Sequence, residues 1–121
     1  MKNSINTIFV AFLLLVNVGF LFGQERRIEL ADKYFDQYAY KQAIVLYEEA
    51  LEQNSKNWKL YAKLGDCYYN LSDTNNALNN YDKYYKASIE NKTDISTALL
   101  LRYAVCLHND GRTSESNEIY N

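Results

Sequence analysis

The chain has 121 residues, two cysteines, no proline and 12 tyrosines, and its 13 Lys and Arg against 15 Asp and Glu leave a formal net charge of −2. Such a length holds one small domain. An apolar fraction of 48% argues against disorder, and two cysteines are too few for a disulfide-built miniprotein. Without a basic excess there is no general electrostatic reason to bind nucleic acid, and the missing proline favours a nearly all-helical chain.

The first predicted element is residues 1–23. Lys2 and the free amine give a positive start. Residues 5–22 are apolar except for Asn6, Thr7 and Asn17, with Gly19 among them, and Gly23 places a small residue before Gln24. This is the layout of a secretory signal peptide, with a charged start, an apolar middle and a small residue at the cut. A retained membrane anchor is the alternative. Asn17 and Gly19 interrupt the stretch, and the clean run 8–16 is shorter than the ~20 apolar residues a span needs. No cysteine lies near the cut to suggest a diacylated lipoprotein. The segment predicts export to the periplasm or cell envelope. Membrane association follows only if the segment is retained.

Residues 24–121 repeat themselves. Shifting the sequence by 34 brings Leu30 onto Leu64, Ala31 onto Gly65, Tyr34 onto Tyr68, Ala43 onto Ala77 and Tyr47 onto Tyr81. A third unit, shifted by a further 39, carries Tyr103, Ala104, Leu107, Ser116 and Tyr120. The extra five residues are expected in a longer polar loop at 90–94. The recurring small residues (Ala31, Gly65 and Ala104; Ala43, Ala77 and Ser116) let paired helices approach closely. Tyr34, Tyr68 and Leu107, with Tyr47, Tyr81 and Tyr120 from the second helices, are expected to fill the space beside them. The seams Leu64, Tyr68, Leu71 and Tyr47, Ala50, Leu51 follow helical spacing.

This pattern resembles the tetratricopeptide repeat, whose signature is aromatic-x2-Leu-Gly-x2-Tyr followed by Ala-x3-aromatic. Tyr61, Leu64, Gly65, Tyr68, Ala77 and Tyr81 match it in the second unit. The resemblance implies an all-α solenoid of antiparallel helix hairpins with about two and a half repeats, in units 24–57, 58–91 and 97–121, the last incomplete. Two departures stand out. Arg27 and Leu100 replace the first aromatic, and Ser55 and Ile89 stand where the repeat ends in proline, so helix ends are expected to be less sharply stopped.

The run Ala31-Asp32-Lys33-Tyr34-Phe35-Asp36, with Ala43-Ile44-Val45-Leu46-Tyr47-Glu48, Lys63-Leu64-Gly65-Asp66-Cys67-Tyr68-Tyr69 and Leu101-Arg102-Tyr103-Ala104, is similar to the amino-terminal repeat region of exported OmpA-family cell-envelope proteins. In that family a propeller-like region and a peptidoglycan-binding domain follow the repeats. Neither is in this sequence, so peptidoglycan anchoring is not carried over. Ending at Asn121 leaves an open solenoid end without a polar cap. The expectation is that the chain is a fragment of a longer protein, the alternative being an end covered by a partner.

No catalytic constellation emerges, and the chain is not expected to be an enzyme. His108 is the only histidine; one residue after Leu107 on a first helix, it is expected to face the groove or solvent rather than act as a general base. Cys67 and Cys106 occupy equivalent places in successive units. Equivalent points on packed helices lie ~8–10 Å apart, beyond the ~7 Å a disulfide spans, so both are expected to be buried packing residues. Three His and Cys in total, without a CxxC pair, provide no metal site, and no Gly-rich loop or other cofactor motif is present. The sequons at Asn70 and Asn91 carry little weight.

The resemblance does imply a binding face. First helices line the concave side in tetratricopeptide domains, and partner segments lie there. By register the lining is Ile28, Asp32, Phe35 and Asp36; then Ala62, Asp66, Tyr69 and Asn70; then Leu101, Val105, His108 and Asn109. Asp32 and Asp66 are expected to be solvated acids on that face. Because they neighbour Lys63 and Arg102, a carboxylate clamp built on those cations is not expected. The mixture suits an apolar, somewhat basic peptide or helix of a cell-envelope protein. A structural spacer or anchor arm of an OmpA-like protein is the alternative.

Overall fold

The computed structural model describes residues 2–121. Met1 and the side chains of Lys2, Phe20 and Leu21 lie outside the description, and with them the charged start and the Leu21 flank of the predicted cut. Six helices follow one another, α1 (Lys2–Asp36), α2 (Tyr40–Gln53), α3 (Leu60–Asn70), α4 (Thr74–Glu90), α5 (Thr97–Asn109) and α6 (Thr113–Tyr120), and the described residues contain no strand. They pair as hairpins α1/α2, α3/α4 and α5/α6, stacked through α2 on α3 and α4 on α5. The all-α hairpin architecture is the expected one.

The 35-residue α1 runs without a break through the predicted cut. Gly19 and Gly23 each cost a helix only about 1 kcal/mol, too little to interrupt it among good helix formers. What changes near Gly23 is packing. Side chains such as Ile5 and Leu15, both 70% exposed, touch no core, and the apolar window has mean hydropathy 2.3. That stretch is long and apolar enough to cross a membrane, a test that a signal sequence also passes. Among the described side chains the first buried one is Gln24, whose Nε2 donates to the Ala50 carbonyl at 3.1 Å and so ties α1 to α2.

Each hairpin turn is three residues and closes in the same way. The amides of Ala39, Asp73 and Arg112 reach back to the carbonyls of Tyr34, Tyr68 and Leu107 at 2.8, 2.9 and 2.9 Å. The residue before each lies in left-handed backbone: Tyr38, Ser72 and Gly111. This is the six-to-one closure that satisfies a helix's last carbonyls. The expected loss of sharp ends at the missing prolines concerns α2 and α4: α2 stops at Gln53, before Ser55, while α4 runs one residue past Ile89. Left-handed residues stop α1, α3 and α5, and Lys92 stops α4 likewise, with Thr93 N on the Ser88 carbonyl. Only at Ile89 does helix run through a proline position, to Glu90. Asp73 and Ser96 cap α4 and α5, accepting from the amides of Asn76 and Leu99.

The five extra residues of the third unit are not a longer loop. The links 54–59 and 91–96 have equal length. Instead α4 has 17 residues where α2 has 14, and α5 has 13 where α3 has 11. Ile89 and Glu90 extend a helix already running, which costs less than opening a new loop.

Two apolar clusters form the core, each across a repeat boundary. Ala31, Ala43, Tyr47 and Leu64 belong to the first; Ala77, Tyr81, Tyr103 and Leu107 belong to the second. The small residues are the close-approach points. Ala31, Ala43, Ala77 and Ala104 have no exposed surface, and a Cβ on Gly65 would lie 2.4 Å from Tyr81 Cε1. Ser116 is buried and donates to the Ala104 carbonyl at 2.8 Å. Tyr47 and Tyr81 are fully buried, whereas Tyr120 is 54% exposed. The difference is physical: α3 and α5 cover the first two tyrosines, and no helix among the described residues packs over the third. Leu71, at the end of its seam, is also exposed because it already lies beyond α3. Cys67 and Cys106 are buried free thiols, their pKa pushed up to about 12 and about 11, in each case chiefly by burial.

Candidate functional site

Helices α1, α3 and α5 carry the predicted face at four repeating positions. None of its 12 residues is buried. Asp36, Asn70, Leu101, Val105, His108 and Asn109 are exposed; Ile28, Asp32, Phe35, Ala62, Asp66 and Tyr69 are half-buried. Phe35 meets the Tyr40 ring edge-on at 5.4 Å, and Lys63 of the next repeat sits 4.7 Å over it. Tyr69 and Ala62 rest against the second core cluster. The aromatics are therefore anchored at one edge and open at the other, the presentation that suits a contact surface.

The two aspartates require a correction. They are not free solvated acids. The Tyr47 hydroxyl donates to Asp32 and the Tyr81 hydroxyl donates to Asp66 at 2.7 Å, each joining the two helices of one hairpin. Cations from the next repeat complete the motif: Lys63 Nζ lies 3.9 Å from Asp32, and Arg102 Nε 2.9 Å from Asp66. Burial, then the carboxylate acceptor, raises the pKa of both tyrosines above the ordinary value. Arg102 loses hydration, which lowers its pKa, but Asp66 and Tyr81 together outweigh that loss, so its pKa rises too. The two cations a carboxylate clamp would need are thus paired within the fold. In the third unit Val105 stands at the aspartate position.

The α4/α5 boundary has a second charged knot. The Tyr103 hydroxyl donates to Asp82 at 2.5 Å, and Arg112 Nη1 lies 2.9 Å from the same carboxylate. Arg112 also pairs with Glu115, whose carboxyl it holds below the usual range. The sequence places Asp32 and Asp66 beside Lys63 and Arg102, but it did not identify the tyrosine hydroxyls that share those carboxylates or the Asp82–Arg112 pair. The signal was their register: Asp32 recurs as Asp66, and Lys63 as Arg102.

Sequence reasoning also missed a cleft of about 420 Å³ on the second-helix side, between α2, α3 and α4. Glu48, Glu52 and Leu51 form one wall and Asn76, Asn79, Asn80 and Lys83 the other, over Tyr61, Leu64 and Tyr68. The Tyr68 hydroxyl donates to Glu48 at 3.0 Å, and its pKa is pushed up to about 12 by burial and that acceptor. The legible signal was the amide spacing 76, 79, 80 on one face of α4.

Six helices in three hairpins, nested on small residues and exposing a row of first helices, give a helical-hairpin fold like that of tetratricopeptide repeats. The comparisons agree with that class. The tetratricopeptide repeat family profile matches residues 34–79. Comparison with curated proteins gave no match. Among solved structures the fold is similar to the Yersinia enterocolitica type III secretion translocator chaperone SycD, with TM-score 0.63 and 17% identity, covering 79% of this chain and 68% of that one. At that identity the likeness concerns fold.

Proposed function

We propose that the chain is an exported, non-enzymatic interaction module, whose α1/α3/α5 face receives a peptide or helix of a cell-envelope protein. The carrying observation is the incompletely buried row Phe35, Tyr69, Leu101 and Val105, with amides Asn70 and Asn109 beside it. A repeat scaffold of this kind presents side chains to another polypeptide, and SycD, a chaperone by name, uses a similar fold. Aromatic anchors contribute most of such affinity. The apolar start of α1 supports export, with removal of residues 1–23. The resemblance to OmpA-family repeat regions supports an envelope partner.

The test is Phe35→Ala combined with Tyr69→Ala. Helical circular dichroism is expected to persist while site-specific photo-crosslinks from position 70 to an envelope protein disappear. Unchanged crosslinks would favour the second reading, a spacer or anchor arm of an OmpA-like protein. That reading draws support from the rigid continuity of α1 into the first repeat.

A further inference from the structure

The cleft between α2, α3 and α4 carries free carboxylate acceptors and an excess negative charge. On the α2 wall, Glu48 accepts a single bond from Tyr68, and Glu52 forms no hydrogen bond or ion pair among the described residues. On the α4 wall, Asn80 is 8% exposed; its Nδ2 donates to the Asn76 carbonyl, and no donor among the described residues reaches its Oδ1. Asn76 likewise uses its Nδ2 internally, on Asp73, at 2.8 Å. The α2 wall therefore offers free carboxylate acceptors, and the α4 wall offers amide oxygens alongside the donors of Asn79 and Lys83. The one cation, Lys83, lies over the Tyr61 ring at 5.2 Å. Two carboxylates against one ammonium leave an excess negative charge, and the Tyr68 ring adds a surface on which a flat cation can stack.

We propose that this cleft is a second binding site, on the side opposite the first-helix face, and that it takes the guanidinium of an arginine in a partner polypeptide. A guanidinium offers five donors in a plane, which suits acceptors on two facing walls, and it stacks on aromatics more readily than an ammonium. It also neutralises the cleft's excess charge and can donate to the Asn80 amide oxygen. Nothing in this site depends on the first-helix face, so the two readings stand or fall separately.

The probe is acetyl-Gly-Arg-Gly-amide, titrated against the isotope-labelled full chain in detergent micelles, with the citrulline tripeptide as its uncharged isostere. Saturable shifts are expected at the Asn79 and Asn80 side-chain amides, and about tenfold weaker binding of the citrulline peptide, since hydrogen bonds to a charged group are worth roughly that factor. Glu52→Gln, which breaks no internal bond, is expected to weaken arginine binding to a similar extent while circular dichroism stays unchanged. Equal binding of the two peptides, shifts confined to the Phe35 and Tyr69 region, or no shift at millimolar peptide would each overturn the proposal.

Discussion

At Asp66 one carboxylate holds both a hairpin and a repeat boundary: Tyr81 reaches it from the same hairpin, and Arg102 from the next. With 18% of its side chain exposed, it is the more buried member of its series; Asp32 is at 45%, and its cation is farther away. Asp66→Ala leaves Arg102 and a buried hydroxyl without their acceptor and is expected to cost about 2–3 kcal/mol in urea unfolding. Asp32→Ala is expected to cost about 1 kcal/mol, because its pair is half solvated. Gly65→Ala forces a methyl into the Tyr81 ring, which Tyr103 backs at 6.2 Å and prevents from swinging away. A loss of about 1–3 kcal/mol follows from overpacking, read as a lower melting temperature. The buried tyrosines also set a pH dependence. Tyr47, Tyr81 and Tyr103 hold their protons more tightly folded than unfolded. Their contribution is therefore complete below the ordinary tyrosine pKa of about 10 and is lost as pH rises through and beyond it. Urea midpoints are expected to be level from pH 7 to 9 and to fall above 10, with phenolate absorbance appearing as the chain unfolds.

At the scale of helices and turns, much was legible in the sequence because steric rules repeat. The 34-residue shift found the close-approach residues Ala31, Gly65 and Ala77, since only small side chains fit where helices touch. It did not find how the helices end, because Tyr38, Ser72 and Lys92 carry no sign of left-handed backbone. Ser72→Gly is expected to raise stability by up to about 1 kcal/mol by relieving a conformation costly to side chains, and Gly111→Ala to lower it by about the same. Thermal melts of the pair test both signs. The extra residues of the third unit were misplaced because polarity at 90–94 reads as loop, although helix α4 continues to Glu90. The predicted first-helix face contains the right helices, yet two of its acids serve the fold. Register alone does not reveal which partner a carboxylate already has.

Over the whole molecule, α1 joins two parts of different character, an apolar stretch whose described side chains are exposed and a segment locked down from Gln24 onward. Removal of residues 1–23 is expected to leave the hairpins intact, because no described side chain of that stretch is buried. Intact-mass measurement of protein from the envelope fraction checks it: a mature chain starting at Gln24 is expected, and a full-length one would indicate a retained anchor.

The aspartate–cation pairing has a consequence for self-association. Moving one repeat outward from each internal boundary, the position equivalent to Lys63 is Glu29, and the position equivalent to Asp66 is Val105. Copies joined head to tail would set an acid against an aliphatic side chain where each natural seam has an ion pair. Open-ended fibre growth, the hazard of heterologous contacts that do not close, thus gains nothing from the lock that aligns the chain with itself.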